Sequence, residues 1–330
     1  MARPKVFLTR RLPEPAMAIV EAACAVELWD DAERPAPREA LLRGAAGAEG
    51  LLSLITDRVD AELLDAAPRL RAVANMAVGY DNIDLAACTA RGVLVTNTPG
   101  VLTETTADLA WALMLAAARR IVEGQKLIEA GGWGPWHPMQ LVGVDVYGAT
   151  LGVVGAGRIG GAVLRRGRGF AMELRYHNRR PSPTLEAETG ARYLPLAELL
   201  RASDFVVVTL PLRAETRGMF GAAEFAAMKD TAVFVNVARG PIVREAELVE
   251  ALRAGRPRAA GIDVFEHEPI GADHPLLALP NCVAVPHIGS ASVATRTRMA
   301  TLATENLVAA LTGAPVPSPV NPEVLGGRAP

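Results

Sequence analysis

Three residues in the last third of the chain could together do chemistry on a carbonyl acid: Arg239, Glu268 and His287. Each closes an apolar, strand-like run, respectively TAVFVNVARG, AAGIDVFEHEP and NCVAVPHIGS. A cation can hold a substrate's charge, and an imidazole can exchange a proton with a hydroxyl. A carboxylate can fix which ring nitrogen carries that proton. Of the five histidines (His137, His177, His267, His274 and His287), His287 is the best acid–base candidate. It ends a strand-like run and is followed by Gly289, Ser290 and a helix start, whereas His274 precedes a proline in a loop. His267 adjoins Glu268, but neighbours at a strand end point to opposite faces. That favours pairing Glu268 with His287 across strands. Singly, the three could be a surface charge, a loop carboxylate and a structural histidine; jointly they argue for a site.

Hydride chemistry needs a carrier, and a Gly-rich turn upstream could seat one. Gly155-Ala156-Gly157-Arg158-Ile159-Gly160 follows the apolar run TLGVVG and opens a helical pattern. Glycines there allow a tight turn, close approach of backbone to a pyrophosphate, and close helix–strand packing. The helix N-terminus adds free N–H groups and a positive dipole end. The next strand should end about 20 residues on with an acid for the ribose hydroxyls of NAD. Here Asn178 stands in its place and Arg179-Arg180 follow. Nothing there repels a 2′-phosphate, and two guanidiniums could grip it. At ~1.5–3 kcal/mol per charge-assisted hydrogen bond, each good contact favours NADPH over NADH by roughly 10- to 100-fold. The alternative is that both arginines are solvated loop charges.

Strand-like runs and helical patterns alternate throughout, which predicts an α/β fold with mostly parallel sheets. One series comprises 5–9, 26–29, 50–55, 72–76 and 93–97, with a helix over 60–67. A second comprises 150–155, 174–177, 205–210, 232–236, 260–264 and 282–286. Two successive Rossmann-like or flavodoxin-like doubly wound domains follow. Between the two series, the apolar stretch Leu109–Ala118 is flanked by Thr105-x-x-Asp108, readable as a capping box, and by Arg119-Arg120. A helix apolar on nearly all sides needs covering, and a subunit interface could cover it. The segment GGWGPWHPMQLVG (131–143) cannot continue a helix and reads as an ordered loop, and the Pro-rich tail as extended over the surface.

Composition excludes several classes. The 330 residues are half apolar with a formal net charge of −2, which suits two domains with large cores and gives no basic stripe for nucleic acid. Cys24, Cys88 and Cys282 are widely spaced, which fits neither a disulfide framework nor a metal site. The longest apolar stretch is shorter than the roughly 20 residues of a membrane span, and the N-terminal MARPKVFLTRR, with an apolar core of only three residues, is expected not to act as a signal peptide. A cytoplasmic protein with no membrane partner is expected.

The blocks VNVARGPIV, GIDVFEHEP and PHIGSAS closely resemble those of the D-isomer-specific 2-hydroxyacid dehydrogenases. The resemblance extends to NMAVGYDNID, VLTETTADLAWALML and YGATLGVVGAGRIG, and so to nearly the whole chain. Within that family it is strongest to glyoxylate/hydroxypyruvate reductases, through FLTRRLPEPA, SLITDRVDAELLDAA, WHPMQLVG and HPLLALPNCVAVPHIGSAS. The resemblance implies a substrate domain of residues 1–100 with 289–330, and a nucleotide domain of 101–288 that includes a dimerisation helix and loop (103–145). A cleft would separate them. It implies that Arg239 binds the substrate, His287 donates the proton and Glu268 holds His287. The backbone of Val78-Gly79 would take the carboxylate. Thr106, Gly155, Gly157, Arg158, Ile159, Gly160, Asn178, Arg179, Arg180, Leu210, Pro211, Thr216, Val237, Ala238, Asp263 and Gly289 would line the cofactor. Trp136 would reach into the pocket of a partner subunit in a homodimer. The expected reaction is NADPH-preferring reduction of the small 2-keto acids glyoxylate and hydroxypyruvate. Alternatives are a reductase of larger acids such as 2-ketogluconate, or a nucleotide-sensing co-repressor. Formate dehydrogenases carry Gln in place of Glu268, and phosphite dehydrogenases a Lys where this chain has Met76, Ala77 and Val78.

Overall fold

A computed structural model of the chain describes residues 2–326. It divides into two compact units, one made of residues up to Leu102 with those from Ala291 onward, the other of Thr103–Ser290. In the first unit, β1 (Lys5–Leu8), β2 (Ala25–Leu28), β3 (Gly50–Ser53), β4 (Ala72–Asn75) and β5 (Leu94–Thr96) form one parallel sheet in the order β2-β1-β3-β4-β5. In the second, a seven-stranded parallel sheet has the order β12-β11-β10-β9-β6-β7-β8. Its strands are β6 (Thr150–Val154), β7 (Glu173–His177), β8 (Arg192–Tyr193), β9 (Phe205–Val208), β10 (Val233–Asn236), β11 (Ala259–Ile262) and β12 (Cys282–Ala284).

Both sheets are covered on both faces, which is why their strands read as continuous apolar runs rather than alternating ones. In the first unit Val6, Leu8, Leu52, Ala74 and Leu94 face one core, and Phe7, Leu51, Val73 and Val95 the other. In the second, Leu151, Val153, Val207 and Val235 face one core, and Val154, Val206, Val208 and Phe234 the other. The helix Val293–Thr312 lays Ala300, Ala303, Leu307 and Leu311 on the first sheet.

Three expectations are corrected. The apolar helix begins at Thr103, so Thr105 lies inside it and is not a cap. The capping pattern recurs by chance within a first turn, and Asp108 instead pairs with Arg166 at 2.7 Å. That helix is also covered from within its own unit: Ala107, Ala110, Trp111, Leu113 and Met114 are buried against β10, β11 and the helix Arg158–Gly167. Trp111 stacks on Phe170 and donates to the carbonyl of Val163. The tail does not simply run over the surface. Val320 and the buried Asn321 pair with Val95 on edge strand β5, and Asn321 also reaches Thr89 and Val93. An edge strand offers unpaired backbone groups, and the tail satisfies them.

Candidate active site

In an open parallel sheet, ligands bind outside the carboxyl ends of the strands where the strand order reverses. In the second sheet the reversal lies between β6 and β9, and the Gly-rich turn follows β6. Its three glycines do three jobs. Gly155 has φ 94°, and a Cβ there would lie 2.8–2.9 Å from the backbone of Leu210. Gly157, at the N-terminus of the helix Arg158–Gly167, has nothing within 4 Å of a notional Cβ, so a ligand can approach its backbone. Gly160 packs so tightly that a Cβ would meet Thr209 Oγ1 at 2.7 Å. Thr209 also donates to the carbonyl of Gly155 at 2.8 Å and pins the turn. These residues fit a dinucleotide pyrophosphate.

At the end of β7, Asn178 donates its amide to the carbonyl of Ala156 at 3.2 Å, tying this strand end to the Gly-rich turn. Arg179 and Arg180 are exposed, and among the described residues neither forms an ion pair. His177 uses Nδ1 on the carbonyl of Leu194 at 2.9 Å and stacks on Tyr193, a structural employment. Leu210 and Pro211 follow β9, and Thr216 braces their loop by accepting from the Arg213 N–H and donating to the carbonyl of Pro211.

The acid–base pair is built from the ends of β11 and β12. Asp263, one residue beyond β11 and 1% exposed, accepts from the N–H of His287 through its carbonyl at 2.8 Å. Its carboxylate accepts from the N–H groups of Ile288 at 2.6 Å and Gly289 at 2.9 Å. One residue therefore holds three successive amides in a turn that puts His287 at φ 51°. A side-chain-bearing residue in that left-handed region costs about 1–3 kcal/mol and persists only when its surroundings over-determine it. Burial pushes the Asp263 carboxyl up to about 6. The two amides and the His287 charge oppose that rise, and the Glu268 charge adds to it. Thr106 lies beside Gly289, 3.3 Å from where its Cβ would sit.

His287 Nδ1 lies 2.7 Å from Glu268 Oε2, and both side chains are about one-third exposed or less. Burial acts to raise the Glu268 pKa, but the His287 hydrogen bond and charge, the Phe265 N–H and the Arg239 charge outweigh it. The carboxyl is held below its ordinary value. An ionised Glu268 keeps a proton on Nδ1 and leaves Nε2 as the ring nitrogen that faces other chemistry. His267 is not part of this pair. The loop carrying Glu268 is braced from behind, where Glu245 accepts from the Glu266 N–H and from His274 Nε2 at 2.8 Å.

Arg239 comes from the turn after β10, with Val237 and Ala238 buried ahead of it. Asn236 shapes that turn, accepting from the Ala238 N–H and donating to the carbonyl of Arg239. Gly240 lets this turn meet the Glu268 loop: a Cβ there would lie 1.8 Å from the carbonyl carbon and oxygen of Phe265. Neither Gly240 nor Thr209 stood out in the sequence. The only signal for Gly240 was a glycine immediately after the arginine.

In the first unit, Val78 and Gly79 lie half-buried in the loop after β4. Trp136 is 80% exposed on the segment after the helix Ile121–Glu129, which buries no residue of its own. Ile121, Ile128, Trp133, Met139 and Tyr147 are exposed on the same stretch. Among the described residues no His, Cys, Asp or Glu cluster could hold a metal ion, and no helix is long and apolar enough to cross a membrane.

Comparison with known proteins adds four findings. Residues 111–289 match the family model described as D-isomer specific 2-hydroxyacid dehydrogenase, NAD binding domain. A glyoxylate reductase of Korarchaeum cryptofilum is 49% identical over 329 residues, covering 99% of each chain. The crystal structure of the TT0316 protein from Thermus thermophilus superposes with a TM-score of 0.89 at 46% identity, over 96% of this chain and 99% of that one. An NADPH-dependent glyoxylate/hydroxypyruvate reductase from Sinorhizobium meliloti, solved with NADP and malonate, superposes with a TM-score of 0.84 at 33% identity, over 97% of each chain.

Proposed function

Because this chain belongs to the D-isomer specific 2-hydroxyacid dehydrogenases, we propose that it reduces glyoxylate to glycolate and hydroxypyruvate to D-glycerate, with NADPH preferred over NADH. The observation that carries the reading is the His287–Glu268 pair at 2.7 Å with the Arg239 charge acting on it, in a chain half identical to proteins named glyoxylate reductase.

The bound dinucleotide supplies the hydride to the carbonyl carbon. Arg239 holds the keto acid by its carboxylate and carbonyl oxygen, drawing electron density toward that oxygen. His287, as the doubly protonated imidazolium with Nδ1–H held by Glu268, gives its Nε2 proton to the oxygen as negative charge develops there and is left as the neutral Nδ1–H ring, whose orientation Glu268 fixes. The N–H groups of Val78 and Gly79 take the substrate carboxylate. Gly155, Gly157, Arg158, Ile159 and Gly160 hold the pyrophosphate. Leu210, Pro211, Thr216, Val237, Ala238, Asp263, Gly289 and Thr106 line the rest of the cofactor.

Preference for NADPH rests on Asn178 in place of an acid and on two arginines with no carboxylate partner among the described residues. The run of exposed apolar side chains from Ile121 to Tyr147 supports a homodimer, in which Trp136 enters the partner's pocket and restricts it to small acids. Steady-state oxidation of NADPH and NADH with glyoxylate, hydroxypyruvate, pyruvate and 2-ketogluconate tests the reading. Fastest turnover with the two small acids and NADPH is expected. Turnover of 2-ketogluconate alone would overturn the substrate assignment, and preference for NADH the cofactor assignment.

A further inference from the structure

The loop after β4 has an unusual hydrogen-bond ledger. Three successive carbonyls are each taken by a donor: Ala77 by the N–H of Thr98, Val78 by the side-chain amide of Asn97 at 2.8 Å, and Gly79 by the side-chain amide of Asn75 at 2.8 Å. Among the described residues, no acceptor takes the N–H of Val78, Gly79 or Tyr80. In a trans peptide the C=O and N–H point opposite ways. Pinning the carbonyls of residues 77, 78 and 79 therefore fixes the N–H groups of 78, 79 and 80, each pointing away from the donor that holds the carbonyl of its own peptide, half-buried and unengaged. Successive unengaged N–H groups held in place are the raw material of an anion-binding concavity.

We infer that Asn75 and Asn97 are positioning residues that aim the N–H groups of Val78, Gly79 and Tyr80 at the substrate carboxylate; the inference rests on the keto-acid reading above. Tyr80 joins the two donors already assigned there. Asn75 is fully buried at the end of β4, and its Oδ1 accepts from Ser53 Oγ at 3.3 Å, so its amide is held from both ends. An amide suits the post because it donates to a carbonyl without bringing a charge beside an anion. An aspartate of the same size would face Gly79 with lone pairs only. Asn82 anchors the far end of the loop, donating to the carbonyls of Leu54 and Asp57 at 3.0 and 2.8 Å. The donors are thus fixed before substrate arrives, which spares an ordering cost on binding.

The test uses Asn75→Asp and Asn97→Asp in the full-length protein saturated with NADP, with oxalate as a dicarboxylate probe read by calorimetry. Each variant should weaken oxalate by roughly 10- to 100-fold, the loss expected when charge-assisted hydrogen bonds are misaimed. The KM for glyoxylate should rise in parallel, while the KM for NADPH holds and kcat changes by less than about threefold. A merely structural role would instead lower kcat, cofactor affinity and thermal midpoint together, and that pattern overturns the inference. So does wild-type oxalate affinity in both variants. If neither variant folds, hydrogen exchange of the wild-type peptide spanning residues 77–82 decides. Slowing by oxalate supports the inference, and unchanged exchange overturns it. A wild type that binds oxalate through this loop but turns over no keto acid would sink the proposed activity and leave the anion cradle standing.

Discussion

Gly240→Ala is the sharpest perturbation available, because it adds one methyl group where two backbones touch. The new Cβ would lie 1.8 Å from the Phe265 carbonyl carbon and oxygen and 2.4 Å from the Glu266 nitrogen. None of these atoms belongs to a flexible side chain. Reaching an ordinary contact of about 3.4 Å requires the Arg239 turn and the Glu268 loop to part by roughly 1.6 Å. Neither can yield freely. Asn236 grips the Arg239 turn on one side, and the Glu245–His274 pair braces the Glu268 loop on the other. A misplacement of about 1 Å at a site can cost ~10²-fold in rate, and forced overpacking costs about 1–3 kcal/mol of stability. We therefore expect kcat/KM for glyoxylate to fall at least roughly 100-fold. Dissociation of NADPH should change less than kcat/KM, because its pyrophosphate is assigned to the Gly-rich turn after β6, although Val237 and Ala238 adjoin the displaced turn. Steady-state kinetics, nucleotide titration and thermal melting on the same preparation separate these effects. A folded variant that keeps wild-type kcat/KM would refute the claim that this close approach registers Arg239 against Glu268.

Other perturbations follow from the same geometry. The Asp263 carboxyl, raised by burial from 3.8 to about 6, keeps its proton in the folded state where the unfolded chain has lost it. Its contribution to stability is thus full below about pH 4 and is lost as pH rises through about 6, by an amount of order 3 kcal/mol at ~1.4 kcal/mol per pH unit. Urea midpoints across that window should decline more steeply for wild type than for Asp263→Asn, and equal slopes would contradict the assignment. Replacing Arg179 and Arg180 together by Ser should cut the preference for NADPH over NADH by roughly 10- to 100-fold per lost contact; an unchanged ratio of kcat/KM values would show them to be solvated charges. On the proposed homodimer, Trp136→Ala should shift the sedimentation coefficient toward that of a monomer and admit bulkier keto acids, and a monomeric wild type would remove the basis for both.

Most of the framework was legible because strands buried on both faces must be apolar throughout. The runs that became β1–β7 and β9–β12 could be read within a residue or two. The strand β8 was not, since Arg192–Tyr193 is two residues long and carries no apolar run. The start of the helix Thr103–Ala118 was misplaced because a capping pattern is a local signal that several positions of one turn can mimic. Tail docking was invisible because Asn321 acts through a backbone 226 residues away at Val95. At the site, residue types and strand-end positions suggested Arg239, Glu268 and His287. What holds them, namely the triple grip of Asp263, the bare Cα of Gly240 and the amides of Asn75 and Asn97, depends on distances across strands that spacing alone does not encode.

The measurement that tests the central claim most directly compares wild type with His287→Ala in the reduction of glyoxylate by NADPH, followed by loss of reduced-nicotinamide absorbance. If His287 delivers the proton under the hold of Glu268, wild type turns over and the variant loses roughly 10²–10⁴-fold in kcat, with nucleotide affinity unchanged. A variant that reduces glyoxylate at nearly the wild-type rate would contradict the account, as would a wild type that oxidises no NADPH with any 2-keto acid.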